Sequence, residues 1–334
     1  MSPRDRALGA FYGLALGDAL GMPTQSMSRE QITEHYGGPI RELRAAVAEQ
    51  PISPGLSAGS VTDDTQQAVL VARLLIDGGG RIEPMMYAEA LLDWEADMAR
   101  RGLSDLLGPS TKRALERLGC GVSPFEAGRS GTTNGAAMRI TPVAIATPSD
   151  GVETLVDAVV AASALTHNTN LGIASASAVA AAISAGIDGA DLPAALDHAE
   201  RAAAAGGRRG HWYAGGDVAA RIRWVRAWVR GMDPPALADA VAGVVGTSVA
   251  AQESVVAAFA LAEALGDEPA DALMLAAGLG GDTDTIGAMC GAMLGARHGL
   301  SGLPAELTAT VREVNGLELE PLVDGLLHLR RRPG

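Results

Sequence analysis

Two ladders of glycine, one near each end of the chain, constrain the fold more than any other feature. Gly13, Gly17 and Gly21 are spaced by four, and so are Gly287, Gly291 and Gly295. Residues four apart share a helix face, and glycine there lets another backbone approach closely. The ladders imply two tightly packed inner helices, although ordinary close packing with no site nearby produces the same pattern. Hydrophobic residues make up 48% of the chain but aromatics only 3%, so the core is built from Ala, Leu, Val, Ile and Met. Ala and Leu favour helices, and alternating β-branched runs are scarce. Punctuation by Gly, Pro, Asn and Asp places helices at about 4–20, 28–35, 63–77, 84–100, 108–118, 151–165, 171–186, 191–205, 215–230, 235–244, 252–265, 270–277, 283–298 and 304–313. No Ser-, Pro- or charge-rich linker divides the 334 residues. No period of about 20–50 residues repeats either. The expectation is one all-α domain over residues 1–334, with a C-terminal extension at about 314–334.

A net charge of −13 disfavours a nucleic-acid partner, which needs clustered cations. The basic run Arg330 to Arg332 reads as a solvated tail. Glycine (42) and proline (17), without a period, fall below the share of about 25–30% that marks low-complexity chains. Cys120 and Cys290 sit in unlike contexts, so there is no disulfide framework, and a reduced, cytoplasmic setting is expected. The N-terminal apolar stretch imitates a signal peptide until Asp18 interrupts it. The apolar piece 171–187 falls short of the roughly 20 residues that cross a bilayer. No membrane partner is expected, and with no coiled-coil heptads the default is a monomer.

Two segments concentrate carboxylates and hydroxyls where an irregular stretch enters a helix. In the first, Thr62-Asp63-Asp64-Thr65 follows Ser60-Val61, and Gln66 stands three residues after Asp63. A capping box from Asp63 and Gln66 explains one Asp, but a helix needs only one N-cap. In the second, Gly280-Gly281 leads into Asp282-Thr283-Asp284-Thr285. Four carboxylates brought together would repel unless cations neutralised them. Oxygen donors suit Mg²⁺, Mn²⁺ or Ca²⁺; neither cluster offers the His or Cys that zinc prefers, and no EF-hand loop is present. Each cluster alone is more often a cap than a ligand set. The Gly131-Thr132-Thr133-Asn134-Gly135 loop enters an apolar segment, where free N–H groups suit phosphate oxygens, a plain loop and cap being the bland alternative. A lone histidine such as His167 is more often structural than catalytic. Trp224 and Trp228, four apart in an Arg-rich stretch, read as a buried helix face with arginine outside.

The segments GAFYGLALGDALGMP (9–23), VTDDT (61–65), GTTNGAAMRITP (131–142), SALTHN (163–168), TSVAAQESV (247–255) and GLGGDTDTIGA (278–288) together resemble the ADP-ribosylglycohydrolase family, in family order. The resemblance implies a compact multi-helix orthogonal bundle with a central cleft. At its base it implies two Mg²⁺ ions, Mn²⁺ being an alternative, and hydrolysis of an ADP-ribose conjugate through a metal-activated water. Carried over by position, Thr62, Asp63 and Asp64 are metal ligands from one side. Asp282, Asp284 and Thr285 are ligands from the other, one carboxylate bridging both ions. Asp64 and Asp284 are the candidate catalytic carboxylates. Gly131, Asn134 and Gly135 line the diphosphate and distal ribose, and His167 contacts ribose or phosphate. The expected partner is ADP-ribose or another small riboside, or an ADP-ribosylated protein.

One departure stands out. Many family members place a glutamate after the GDALGMP stretch, and the corresponding residue here is Gln25, which the resemblance places among the substrate contacts. An amide can hydrogen-bond a substrate hydroxyl but cannot ligate a metal as an anion or accept a proton as a carboxylate does. Either the base is one of the Asp residues, or this subgroup handles a different substrate, or activity is weak. A hydrolase of smaller ribosides such as nucleosides, and a non-catalytic ADP-ribose-binding protein, remain the alternatives.

Overall fold

The structure, a computed structural model, describes residues 1–103 and 107–331. Among the described residues there are 18 α-helices and no strand, only the isolated bridges Thr133–Ala250 and Thr169–His211. In chain order the helices are α1 (Pro3–Gly21), α2 (Arg29–Tyr36), α3 (Asp63–Asp77), α4 (Pro84–Arg100), α5 (Pro109–Gly119) and α6 (Pro124–Ala127). There follow α7 (Gly135–Met138), α8 (Thr141–Ala146), α9 (Val152–His167), α10 (Asn170–Ile187), α11 (Leu192–Gly206) and α12 (Val218–Val229). The last are α13 (Pro234–Ala240), α14 (Ala251–Ala264), α15 (Pro269–Ala277), α16 (Thr283–His298), α17 (Ala305–Asn315) and α18 (Glu320–Arg330). The chain is all-α, as the composition implies.

The two glycine ladders face each other. Helices α1 and α16 run antiparallel, and a Cβ added at Gly13 would collide with the carbonyl of Gly291, one at Gly17 with that of Gly287. Gly9 continues the ladder against Gly295. Backbone meets backbone over four turns, which only glycine permits. Both helices are buried on every side, from Ala7 to Gly21 and from Thr283 to Ala296, so neither shows an amphipathic stripe. Helix α10 completes this inner layer. By length and composition it could cross a membrane, yet 94% of it is buried inside the protein, which makes it a core helix. Helices α3, α8, α9, α14 and α15 pack around these three.

Three features differ from the sequence-based expectations. Helix α18 was not anticipated: Leu319, Val323, Leu326 and Leu327 bury its inner face, and it rests on α3 and α8. Its Arg330 is no solvated tail. The guanidinium donates to the carbonyls of Ala144 (2.9 Å), Thr147 and Ser184 (3.2 Å) and pairs with Asp188 at 2.5 Å, with 7% of the side chain exposed. In α12 the expected arrangement holds for Trp228, Arg223 and Arg230 but fails for Trp224 and Arg226. Trp228 is half-buried against the core and stacks on exposed Trp224 with centroids 5.1 Å apart, and Arg226 is buried. Arg226 tolerates burial because Glu263 (2.8 Å), Asp197 (2.9 Å) and Glu200 all accept from it. Met289 and Met293 fill the core between the ladder glycines of α16. Cys120 is exposed, Cys290 is buried, and neither is in a disulfide.

Candidate active site at the meeting of three helix ends

Antiparallel packing of α1 on α16 fixes where the chemistry lies. A Cβ at Gly21 would strike Thr283 and the amide of Asp284, so the end of α1 abuts the start of α16. The N-terminus of α3 enters the same corner. Thr62 and Asp284, 222 positions apart in sequence, come within 3.4 Å through Thr62 Oγ1 and Asp284 Oδ2. Thr62 Oγ1 also donates to Asp64 Oδ2 (3.3 Å), as does Thr285 Oγ1 (3.4 Å). Acidic residues occupy the first turns of α3 and α16, where the helix dipoles favour negative charge.

The capping box expected of Asp63 and Gln66 is absent, because Thr62 is the N-cap of α3 and its side chain makes no capping bond. The cap comes instead from Asp18, at the end of α1. Its carboxylate accepts from the amides of Thr62 (3.0 Å) and Thr65 (3.1 Å) and from their hydroxyls at 2.8 and 2.5 Å. Asp18 is the site residue that the sequence reading missed. Its signal is a single acid inside an otherwise apolar, glycine-laddered helix. One carboxylate oxygen from each of Asp18, Asp64 and Asp284 lies within 4.8 Å of the others.

The loop before α16 explains its glycines. Gly280 and Gly281 both adopt φ of 76°, and a Cβ on Gly281 would overlap the Thr247 carbonyl. This lets Gly281 N–H reach Met27 O (2.9 Å) and its carbonyl receive Ser26 N–H (2.7 Å), while Asp282 N–H reaches Thr247 O (2.7 Å). Ser26 is the one non-glycine residue with positive φ, 62°, among the described residues. It follows Gln25, whose side-chain oxygen is buried without a hydrogen-bond partner. Strain of this kind gathers at functional sites.

A cleft of about 310 Å³ opens over this corner. Gln25, Asp63, Asn134, Gly135, Asp282 and Thr285 line it. Asp64 and Asp284, the expected catalytic pair, lie one layer deeper, at 1% and 0% exposure against 6% for Asp63. Asn134 Nδ2 donates to Asp282 and, at 2.9 Å, to Ser254 Oγ. Gly131 and His167 sit behind the wall. A Cβ on Gly131 would meet the Thr166 carbonyl, and His167 is fully buried, joined to Thr133 Oγ1 (2.9 Å) and Thr166 Oγ1 (2.8 Å). Burial and then the Arg139 charge hold His167 well below its usual pKa, hence neutral. Buried Arg139 itself bonds Gln67 Oε1 and Thr166 Oγ1, both at 2.6 Å, and Gln67 Nε2 reaches Asp63 Oδ2 at 3.3 Å. A polar chain thus runs from Asp63 to Thr133.

Every carboxylate here is pushed above its ordinary pKa. Burial is the first cause throughout. Asp284 and then Asp18 add repulsion at Asp64, Asp18 and Asp282 add it at Asp63, and Asp282 and Asp18 add it at Asp284. At Asp18 the hydrogen bonds from Thr65 and Thr62 oppose burial and leave the group at about 6. Asp282 is raised by burial against the pull of Asn134. Asp64 Oδ1 and Asp284 Oδ1 are buried without a hydrogen-bond partner. Orphaned carboxylate oxygens among threonine hydroxyls form a donor set suited to a hard divalent cation.

The family model for ADP-ribosylglycohydrolase matches residues 1–334. The chain is 32% identical over 206 residues to the ADP-ribosyl-[dinitrogen reductase] glycohydrolase of Rhodospirillum rubrum, covering 60% of this chain and 64% of that protein. It is 29% identical over 316 residues to ADP-ribosylarginine hydrolase Tri1 of Pseudomonas putida (strain GB-1), covering 90% and 73%. A solved structure titled ADP-ribosylglycohydrolase-related protein complex superimposes with a TM-score of 0.67 at 26% identity, covering 98% of this chain and 99% of that one. The chain belongs to the ADP-ribosylglycohydrolase family, whose chemistry is the hydrolysis of ADP-ribose conjugates.

Proposed function

We propose that the protein removes an ADP-ribosyl group from a conjugate, cleaving the glycosidic bond at the anomeric carbon with the help of two Mg²⁺ ions, Mn²⁺ fitting the same donors. The observation that carries this is the convergence of remote Asp64 and Asp284, each with a buried, unpartnered carboxylate oxygen, beneath a cleft. Thr62, Asp63, Asp64, Asp282, Asp284 and Thr285 would hold the cations, and Asp18 fixes the threonines in place. A divalent cation there supplies Lewis acidity toward water and toward the sugar hydroxyls.

The chain's own groups supply the rest. Asp63 lines the cleft, where its carboxylate can take the proton of an attacking water. Asp282 lines the cleft too, but Asn134 donates to it, so it orients more than it accepts. Asp64 and Asp284 keep negative charge beneath the anomeric carbon, where an oxocarbenium-like transition state gathers positive charge. Gln25 meets the ribose hydroxyls, and Asn134 and Gly135 shape the wall along the diphosphate.

The test is product formation from ADP-ribosyl-arginine, ADP-ribosyl-serine, O-acetyl-ADP-ribose and common nucleosides, with Mg²⁺ and with chelator. ADP-ribose release that needs Mg²⁺ and disappears in Asp282→Ala/Asp284→Ala is the expected result, with ADP-ribosyl-arginine the first candidate, because the Tri1 relative bears that activity in its name. Free ribose from nucleosides would overturn the ADP-ribosyl reading. No turnover with Mg²⁺ still bound would make the protein a binder.

A further inference from the structure

Arg226 and Arg330 leave water only where carboxylates meet them, Asp197 and Glu263 at the one and Asp188 at the other. Arg139 is different. It is 2% exposed, and among the described residues its guanidinium is in no ion pair. Its terminal nitrogens donate to Gln67 Oε1 and Thr166 Oγ1, its Cζ lies 5.7 Å from the centroid of the Tyr87 ring, and its Nε has no partner. A buried cation is costly when its counter-charge is withheld. Here the counter-charge stands one side chain away. Gln67 passes the contact on, its Nε2 reaching Asp63 Oδ2 at 3.3 Å, one turn back along α3.

Gln67 is fully buried, and neither it nor Arg139 is among the residues that line the cleft, so any part they play runs through Asp63. A guanidinium can only donate, and an ionised carboxylate can only accept. A group between them must accept at one end and donate at the other. An amide does both, and these neighbours leave the Gln67 amide a single orientation. The plain alternative is an i,i+4 pair that only steadies the first turns of α3. Direct contact of the guanidinium with Asp63 would satisfy both charges, but in a bidentate grip it would occupy both carboxylate oxygens. The amide occupies one. We propose that Gln67 is a positioning residue: clamped by Arg139, it holds Asp63 Oδ2 and so presents Oδ1 to the cleft and the attacking water. The guanidinium stays one amide away and leaves Oδ1 free. The inference rests on the ADP-ribosyl reading above and deepens it.

Gln67→Glu separates positioning from packing. It is nearly isosteric, gives Arg139 the carboxylate it lacks, and replaces the donor that faces Asp63 with an acceptor. Either role keeps the fold in this variant, but a packing role keeps turnover as well. Positioning lowers kcat for ADP-ribosyl-arginine about tenfold or more, the scale of one hydrogen bond to a charged group. KM, and the Kd for ADP-ribose by calorimetry, are expected to hold, because Gln67 does not line the cleft. Gln67→Met keeps the stem and loses both ends of the amide, and a similar fall in kcat with KM held is expected. Crystal structures grown in chelator supply a readout apart from activity. Asp63 is expected in one orientation in the wild type, with Oδ2 on Gln67, and turned out of it in Gln67→Met. Wild-type kcat in either folded variant, or an Asp63 unmoved in Gln67→Met, overturns the Gln67 role and leaves the ADP-ribosyl reading standing. A wild-type protein that releases no ADP-ribose from any conjugate overturns that reading instead, and the crystal structures then decide by themselves whether Gln67 holds Asp63.

Discussion

Four donors, the amides and hydroxyls of Thr62 and Thr65, converge on the carboxylate of Asp18. Replacing it with alanine strands buried donors, and each unsatisfied group costs on the order of 1–3 kcal/mol. Asp18→Ala is expected to lose at least about 2 kcal/mol in urea unfolding and to weaken Mg²⁺ binding in a calorimetric titration, since Thr62 loses its anchor. Unchanged Mg²⁺ affinity would sink that role. Asp64→Asn acts in the opposite sense on stability. It removes one of several mutually repelling charges, so the melting temperature in chelator should hold or rise, while the Mg²⁺-induced increase should vanish. A variant that still gains stability from Mg²⁺ as wild type does would exclude Asp64 as a ligand. The same electrostatics sets a pH dependence. Burial pushes Asp18 up to about 6 in the folded protein, above an ordinary carboxylate near 4, and Asp63, Asp64 and Asp284 are raised as well. A raised folded pKa contributes stability that is complete below the unfolded pKa and lost as pH rises through the folded one. Chelated protein should therefore lose melting temperature steadily from pH 5 to pH 8, and saturating Mg²⁺ should flatten that slope, as differential scanning fluorimetry would read. Parallel curves with and without Mg²⁺ would contradict it.

At the scale of elements, the contact of α1 with α16 both packs the core and aims the site, because the ladder that ends at Gly21 abuts Asp284. A methyl at Gly17 or Gly287 has only backbone to displace. Overpacking of this kind costs about 1–3 kcal/mol or more. Gly17→Ala is expected to fall in or above that range by urea unfolding and to reduce activity as well, since the start of α16 must shift. A cost below about 0.5 kcal/mol would show that the helices slide apart freely. Helix α18 is the element that local pattern reading passed over. Its apolar positions follow a helical period, but the run is only 11 residues long and carries Pro321 and Gly325. Helices α6, α7 and α8 are shorter still, and tertiary contact rather than propensity holds them. The stretch expected as a helix over 235–244 is split between α13 and a π-helical turn at Val241–Val245.

Across the whole molecule, the C-terminal segment ties remote parts together. Arg330 donates to carbonyls at the end of α8 and in α10 and pairs with Asp188. Arg330→Met is expected to cost about 2–3 kcal/mol, measured by urea unfolding, with kcat and KM retained because the site lies elsewhere. A neutral effect on stability would return the segment to the status of a loose tail. Much of this protein was legible in the sequence. The glycine spacing marked two inner helices, the aromatic-poor, Ala-rich composition marked an all-α chain, and the Asp/Thr clusters marked the acidic corner, because spacing and side-chain chemistry are local properties. Other features were decided only by the tertiary structure: that Asp18 caps α3, that Asp63 and Asp282 reach the cleft while Asp64 and Asp284 lie beneath it, that Arg226 is buried while Trp224 is exposed, and that His167 stands behind Thr133. Each depends on which remote group meets a side chain once the helices cross, and burial of a charge is set by that partner and not by its neighbours in sequence.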